Sequence, residues 1–287
     1  MAIDLLSIGP TEVDLEALLE SCGQILRAYR QQDSGCVSYV VDHRSRRLFV
    51  KTATTDAGAE SLARAEALHS AVCHPALPPL LNVFRSGARP THIYEWVPGE
   101  ILYDYVTMDG ERGRRDPDSA HARFRRLPLP RILDAIDIIY DLHVRIAAEG
   151  FVAVDFYDGC ILYDFGKHRI WICDLDEFRP GPFVLARERL PGSRRFMAPE
   201  EFVRGSLIGQ RTNVFTLGRT AAVLLSDGDE HSPAWRGTNA MRGIVECATS
   251  PRPEDRFTSV AALVEAWDQA KRGSRHDLLP SPNDDSL

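Results

Sequence analysis

The chain has 287 residues, 44% of them hydrophobic and 26% charged, which suits one large domain or two lobes sharing a cleft. Its formal charge of −7 argues against nucleic acid as the main partner, because a phosphate backbone calls for a basic face. Cys22, Cys36, Cys73, Cys160, Cys173 and Cys247 form no C-x-x-C pair and no His-interleaved metal pattern, so reduced thiols of a cytoplasmic protein are expected. The opening Met-Ala-Ile-Asp-Leu-Leu has no basic segment before an apolar run, and no long apolar run escapes charge. Neither a signal peptide nor a membrane span is expected.

Residues 11 to 30 carry helical apolar spacing after a Thr11 cap, which predicts an N-terminal helical extension over residues 1–30. Cys36-Val-Ser-Tyr-Val-Val41 and Arg47-Leu-Phe-Val-Lys51 are β-rich runs around a polar His43-Arg-Ser-Arg turn, hence a hairpin. Residues 57–72 read as a helix stopped at His74-Pro75, since a residue before proline avoids the helical region. Thr91 to Val97 is a strand punctuated by Pro98-Gly99. Residues 107–130 are polar and rich in turn formers, which predicts an inserted surface loop, either a docking surface or a plain solvated one. A long amphipathic helix follows, with Ile132, Ile136, Ile139, Tyr140, Leu142 and Ile146 in its stripe. Two short strands are expected at 160–163 and 169–173, and mainly helices from Glu200 onward, including 212–226 and 258–271. The Ser-, Pro- and Asp-rich stretch 272–287 reads as a disordered tail. Strands first and helices later predict an α+β protein of two segregated lobes, a small one over 31–97 and a large one over 98–271.

Chemistry-bearing residues recur along this frame in a fixed order. Lys51 ends a strand and Glu66 sits on the next helix. Then come Asp155, Asp174, Ala198-Pro199-Glu200, Asn213 to Gly218, and Arg256. Phosphoryl transfer asks for little more than cations on the phosphates and a carboxylate beside the attacking hydroxyl. The Asp164-Phe165-Gly166 triplet lies only nine residues after Asp155. In the family that this order resembles, a catalytic loop and two strands of about five residues each separate the two aspartates, and they do not fit that interval. Asp174, nineteen residues after Asp155 and just past a strand, has the room.

This series resembles the catalytic domain of the protein kinase superfamily, of the serine/threonine class, over most of the chain. The resemblance implies a two-lobed kinase-like fold, with a small antiparallel β-sheet lobe and a mainly helical large lobe. It also implies an ATP-dependent phosphotransferase acting on protein Ser or Thr hydroxyls with Mg²⁺ or Mn²⁺. Lys51 would hold the phosphates, steadied by Glu66, with Glu60 as the rival partner. Gly35, Ser38 and Val40 would cover the nucleotide, Tyr94 would be the gatekeeper, and the backbone from Glu95 to Val97 would lie near adenine. Asp155 would receive the hydroxyl proton, while Asp174 and Asp176 would hold the metal. Glu200 and Arg256 would form a buried ion pair. A protein substrate or regulator is implied without its identity.

Several positions depart from the family pattern. Only Gly35 remains of three loop glycines, and Asp33 would repel a triphosphate. Ala153 and Val154 replace His-Arg, Tyr157 replaces a lysine, Cys160 replaces a metal-binding Asn, and Asn213 replaces an Asp. A thiol is a poor ligand for Mg²⁺. A second reading follows, a catalytically impaired pseudokinase serving as a binding or regulatory module. A third, a small-molecule kinase related to antibiotic phosphotransferases, ranks last because those lack the Ala-Pro-Glu and Arg256 features.

Overall fold

The computed structural model describes residues 3–30, 34–104 and 110–276. In chain order the elements are α1 (Leu15–Cys22), β1 (Gln24–Tyr29), β2 (Cys36–His43), β3 (Arg46–Ala53), α2 (Asp56–Ala71), β4 (Leu80–Ser86), β5 (Arg89–Glu95) and β6 (Glu100–Ile101). There follow α3 (Gly110–Arg115), α4 (Ala120–Arg125), α5 (Leu129–Ala148), β7 (Phe151–Val152), β8 (Ile161–Asp164), β9 (Arg169–Ile172), β10 (Arg179–Pro180), β11 (Phe183–Val184) and β12 (Leu207–Ile208). Three helices, α6 (Gln210–Leu225), α7 (Asn239–Ala248) and α8 (Val260–His276), complete the described residues. It is an α+β protein made of two compact units. The first comprises Met1–Glu100 with Leu162–Arg179, the second Ile101–Ile161 with Pro180–Leu287. The segment 162–179, expected within the larger lobe, is therefore part of the first unit. Hydrogen bonds from Ile172 N–H to Ala76 O (2.8 Å) and from Arg169 to Pro75 O (3.2 Å) tie it there.

The first unit is built on a five-stranded antiparallel sheet of order β1-β2-β3-β5-β4. Alternate residues of a strand face opposite sides. Tyr39, Val41, Leu48, Val50 and Ile93 pack with Leu15, Leu18 and Leu19 of α1 on one side. Cys36 and Ala53 pack with Leu62 of α2 on the other. The β2–β3 turn is tight enough to force Arg44 and Ser45 into left-handed backbone.

Three expectations are corrected here. The N-terminal helix is short, and Gln24–Tyr29, read as its continuation, is a strand paired with β2. Gly23 caps the helix in extended backbone and runs so close to β2 that a Cβ there would lie 2.1 Å from Asp42 O, so only glycine fits where the chain enters the sheet. The cap is Asp14, whose carboxylate accepts from Ala17 N–H, rather than Thr11. Strand β4 had no counterpart in the sequence reading.

In the second unit α5 buries its apolar stripe, and Tyr140 meets the Trp267 ring edge-on at 5.5 Å. Trp267 donates to Asp137 (3.2 Å). The expected surface loop is a pair of short helices: Phe124 and His121 of α4 are buried, and Arg114 of α3 reaches inward. Helix α8 runs to His276, past the point where a tail was expected. Residues 277–287, 105–109 and Asp33 lie outside the described residues. Among the described residues no helix is long and apolar enough to cross a membrane.

Candidate active site

In the first unit, β3 sets Lys51 between Ser38 of β2 and His92 of β5. Its side chain is buried, and Nζ donates to Asp174 Oδ1 (3.0 Å) and to Asp176 Oδ2. Asp174 follows β9 in left-handed backbone (φ 58°), a conformation that costs a non-glycine residue energy and directs its side chain to the amine. Its side chain is 53% exposed, whereas Asp176 is nearly buried. Burial alone would lower the Lys51 pKa, but Asp174 and Asp176 override it and hold the amine firmly protonated. Burial, with Asp174 adding to it, pushes Asp176 upward against the pull of Lys51.

Glu66 is not the partner of Lys51. The face of α2 turned to the Asp176–Glu177 segment carries Ser61 and Arg64, one turn apart. Arg64 donates to Asp176 O (2.9 Å) and to Glu177 Oε1 (2.6 Å), and Ser61 donates to the same carboxylate (3.0 Å). The burial of Gly58, Leu62, Ala65 and Leu68 fixes this rotation. Glu66 is then left half-exposed, with Oε2 3.9 Å from His92 Nε2, and Glu60 is exposed too. Ser61, Arg64 and Glu177 escaped the sequence reading. The Ser-x-x-Arg spacing on a helix and the Asp-Leu-Asp-Glu run were their only signals.

The expected nucleotide residues divide. Ser38, Val40, Phe49 and Tyr94 lie on the Lys51 face of the sheet, since β2, β3 and β5 pair in register. Phe49 was not foreseen; its ring lies 6.5 Å from both Tyr29 and Tyr94. Tyr94 is buried, its hydroxyl 3.1 Å from His92 Nδ1, and burial raises its pKa. Gly35 has φ 68°, and its carbonyl accepts from Thr54 N–H (2.8 Å). A Cβ there would strike Thr55 Oγ1 at 2.2 Å, so contact with the start of α2 is what requires glycine. Glu95 N–H bonds to Pro79 O and Trp96 N–H to Arg47 O, while Val97 buries its side chain.

In the second unit, Asp155 also adopts left-handed backbone (φ 63°). Its carbonyl accepts from the Cys160 thiol (3.3 Å), which is fully buried. Asn213 braces the segment before it: Ala153 N–H donates to its Oδ1 (3.2 Å), while Nδ2 is buried with no partner among the described residues. A Cβ on Gly192 (φ 138°) would sit 3.4 Å from Asp155 Oδ1. Glu200 and Arg256 are joined by two buried hydrogen bonds of 2.7 and 2.9 Å. Next to them Glu201 accepts from Ala198 N–H (2.6 Å). Burial, aided by Glu200 and Asp155, pushes its pKa up to about 8. Asp158, three residues past Asp155, is fully buried and takes two hydrogen bonds from Arg114 (2.7 and 3.0 Å).

Among the described residues no group of three or more His, Cys, Asp and Glu is arranged to hold a metal. Asp174 and Asp176 nevertheless offer hard oxygen donors, and Mg²⁺ commonly takes one or two carboxylates and completes its shell with water and phosphate. The residues therefore fit such an ion in part. Cys160 does not contribute, because its thiol is committed to Asp155 O. No family model matches the chain, and no curated protein matches it.

Proposed function

We propose that the chain is an ATP-dependent phosphotransferase of the protein kinase class, with a two-lobed kinase-like fold and Ser or Thr hydroxyls as acceptors. The observation that carries this reading is the convergence of an ammonium and two carboxylates: Lys51, on a strand of the five-stranded sheet, donates to both Asp174 and Asp176 of the segment after β9. In this reading Lys51 binds phosphate oxygens, and Asp174 and Asp176 hold Mg²⁺ or Mn²⁺. The bound ion supplies charge neutralisation on the phosphates. Asp155 orients the acceptor hydroxyl and takes its proton. Cys160 supports this role through its bond to the Asp155 carbonyl, and Asn213 by holding Ala153 N–H two residues before it.

Specific observations favour a second reading, a pseudokinase. Glu66 leaves Lys51 to two acids, Phe49 adds a ring on the lysine face of the sheet, and the Cys160 thiol is buried. One experiment separates the two. Transfer of radiolabelled phosphate from ATP to a generic protein substrate is measured with Mg²⁺ and Mn²⁺, alongside the thermal shift that ATP induces. The enzyme reading expects transfer that disappears in both Asp155→Asn and Asp174→Ala. Nucleotide stabilisation without transfer supports the second reading. Absence of both sinks the two together.

A further inference from the structure

Among the described residues the most exposed large apolar side chains are Leu207 (64%), Val184 (61%) and Val203 (56%). All three lie on the second unit, Val203 in the turn that leads into β12, where its carbonyl accepts from Ser206 N–H (3.1 Å). Val184 and Leu207 are directly opposite on β11 and β12. Val203 adjoins Phe202, whose ring has the guanidinium groups of Arg189 and Arg194 at 6.0 and 5.9 Å from its centroid. Isolated apolar groups on a surface need no explanation, but a contiguous set rimmed by charge marks an interaction site.

The rim has one sign. From residue 184 to 211 the exposed arginines are Arg187, Arg189, Arg194 and Arg204, against Glu188, Glu200 and Glu201; Arg195 and Arg211 are half-buried and donate to Asp227 O and Pro253 O. Glu200 and Glu201 are buried, so Glu188, 4.0 Å from Arg204, is the exposed acid of the stretch. In a chain of net charge −7 this is a local reversal. The patch also has a firm base: Leu185, Leu190, Met197 and Ile208 pack with Val152 and Val154, and Phe183 and Phe202 lean on that cluster. Its floor is thus shared with the segment that carries Asp155.

We propose that this surface docks an acidic peptide segment of a partner protein, one that sets leucine-type side chains on Val184, Val203 and Leu207. Its carboxylates then meet Arg189, Arg194 and Arg204. Apolar anchors supply the affinity, while the arginine rim steers the encounter and sets the sign of the partner. A long polyanion such as nucleic acid is disfavoured by the net negative charge elsewhere on the chain. This inference does not depend on phosphotransfer, and Asp155 has no part in it.

The test is fluorescence anisotropy of the full chain with a labelled probe, Glu-Glu-Asp-Leu-Leu-Asp-Glu-Glu, beside a control in which serines replace the leucines. The probe is expected to bind with a dissociation constant on the order of 10–100 µM in low salt, and the serine control to bind at least about tenfold more weakly. Leu207→Glu and the double change Arg194→Ala with Arg204→Ala are each expected to weaken the probe about tenfold. The melting temperature should be unchanged, because all three positions are exposed. Val184→Ser provides an independent apolar variant should Leu207→Glu fail to fold. Three results overturn the proposal: no binding at about 1 mM probe, binding that survives both apolar variants, or binding of phosphatidylserine vesicles without the peptide. Self-association in sedimentation that Leu207→Glu abolishes overturns it as well, because the occupant is then a second copy of the chain.

Discussion

Lys51 and Asp174 are 123 residues apart in sequence and 3.0 Å apart in space. Asp176, two residues further on, closes on the same amine from a nearly buried position, so one cation balances two acids. Removing the cation leaves a buried carboxylate without its partner. Lys51→Met is expected to cost about 3–5 kcal/mol of stability. Adding Asp176→Leu should return much of that loss. Urea denaturation of the single and double variants checks the point, and a loss that the second change fails to relieve contradicts it.

Arg114 and Asp158 make a pair of the same kind in the second unit, 44 residues apart in sequence and buried on both sides. Arg114→Ala should destabilise by about 3–5 kcal/mol. The same change at Arg252, whose partner Asp255 is exposed, should move stability far less. Arg114→Lys should recover only part of the loss, because an ammonium cannot reproduce the two-point contact. If Arg114→Ala and Arg252→Ala unfold alike, the proposed anchoring of α3 is wrong.

Glu201 should make the protein sensitive to alkali. Its carboxyl titrates near 8 when folded and near the ordinary 4.5 when unfolded. Between those values the folded chain holds the extra proton, so stability falls as pH rises through this window and levels off above it. Glu201→Gln keeps an acceptor for Ala198 N–H and cannot ionise. It should be neutral at pH 5 and raise the melting temperature by several degrees at pH 9. Equal effects at both pH values would falsify the assignment.

Histidines act in the opposite direction. Burial first, then nearby charge, lowers His92 to about 4, with His69 and Lys51 contributing; burial alone lowers His69 to about 4. His121 is lowered to about 3 by burial and by Arg195, Arg125 and Arg114. Unfolded histidines take up a proton near 6.5. The unfolded chain therefore binds more protons below that value, and stability is lost as pH falls from about 6.5 towards 4. Thermal melts at pH 7 and pH 5 should differ by several degrees. His92→Gln should narrow the difference, and an unchanged gap would remove His92 from the account.

Much of the strand framework could be read from residue patterns, because the β2–β3 hairpin alternates cleanly and its turn is polar. Spacing also put Asp164 in a hairpin turn, and its carboxylate accepts from Gly166 and Lys167 N–H in the β8–β9 turn, with Asp174 just past β9. What failed was whatever depended on a partner far along the chain. Apolar spacing in α2 marks its buried side, but not that Ser61 and Arg64 face Glu177 while Glu66 turns away. Gln24–Tyr29 continues an apolar period compatible with a helix, and only the close approach of Gly23 to Asp42 decides otherwise. Arg114 looks like a solvated charge until Asp158 is brought to it.

The thiol of Cys160 has a practical use. Sealed beneath the backbone it bonds to, it is out of reach of a maleimide, whereas Cys73 is exposed. Labelling followed by peptide mapping should therefore record an early adduct at Cys73 and a delayed one at Cys160, read separately from Cys36, which is buried too. The delay times how often the segment around Asp155 opens, giving the chain a built-in clock for that left-handed turn.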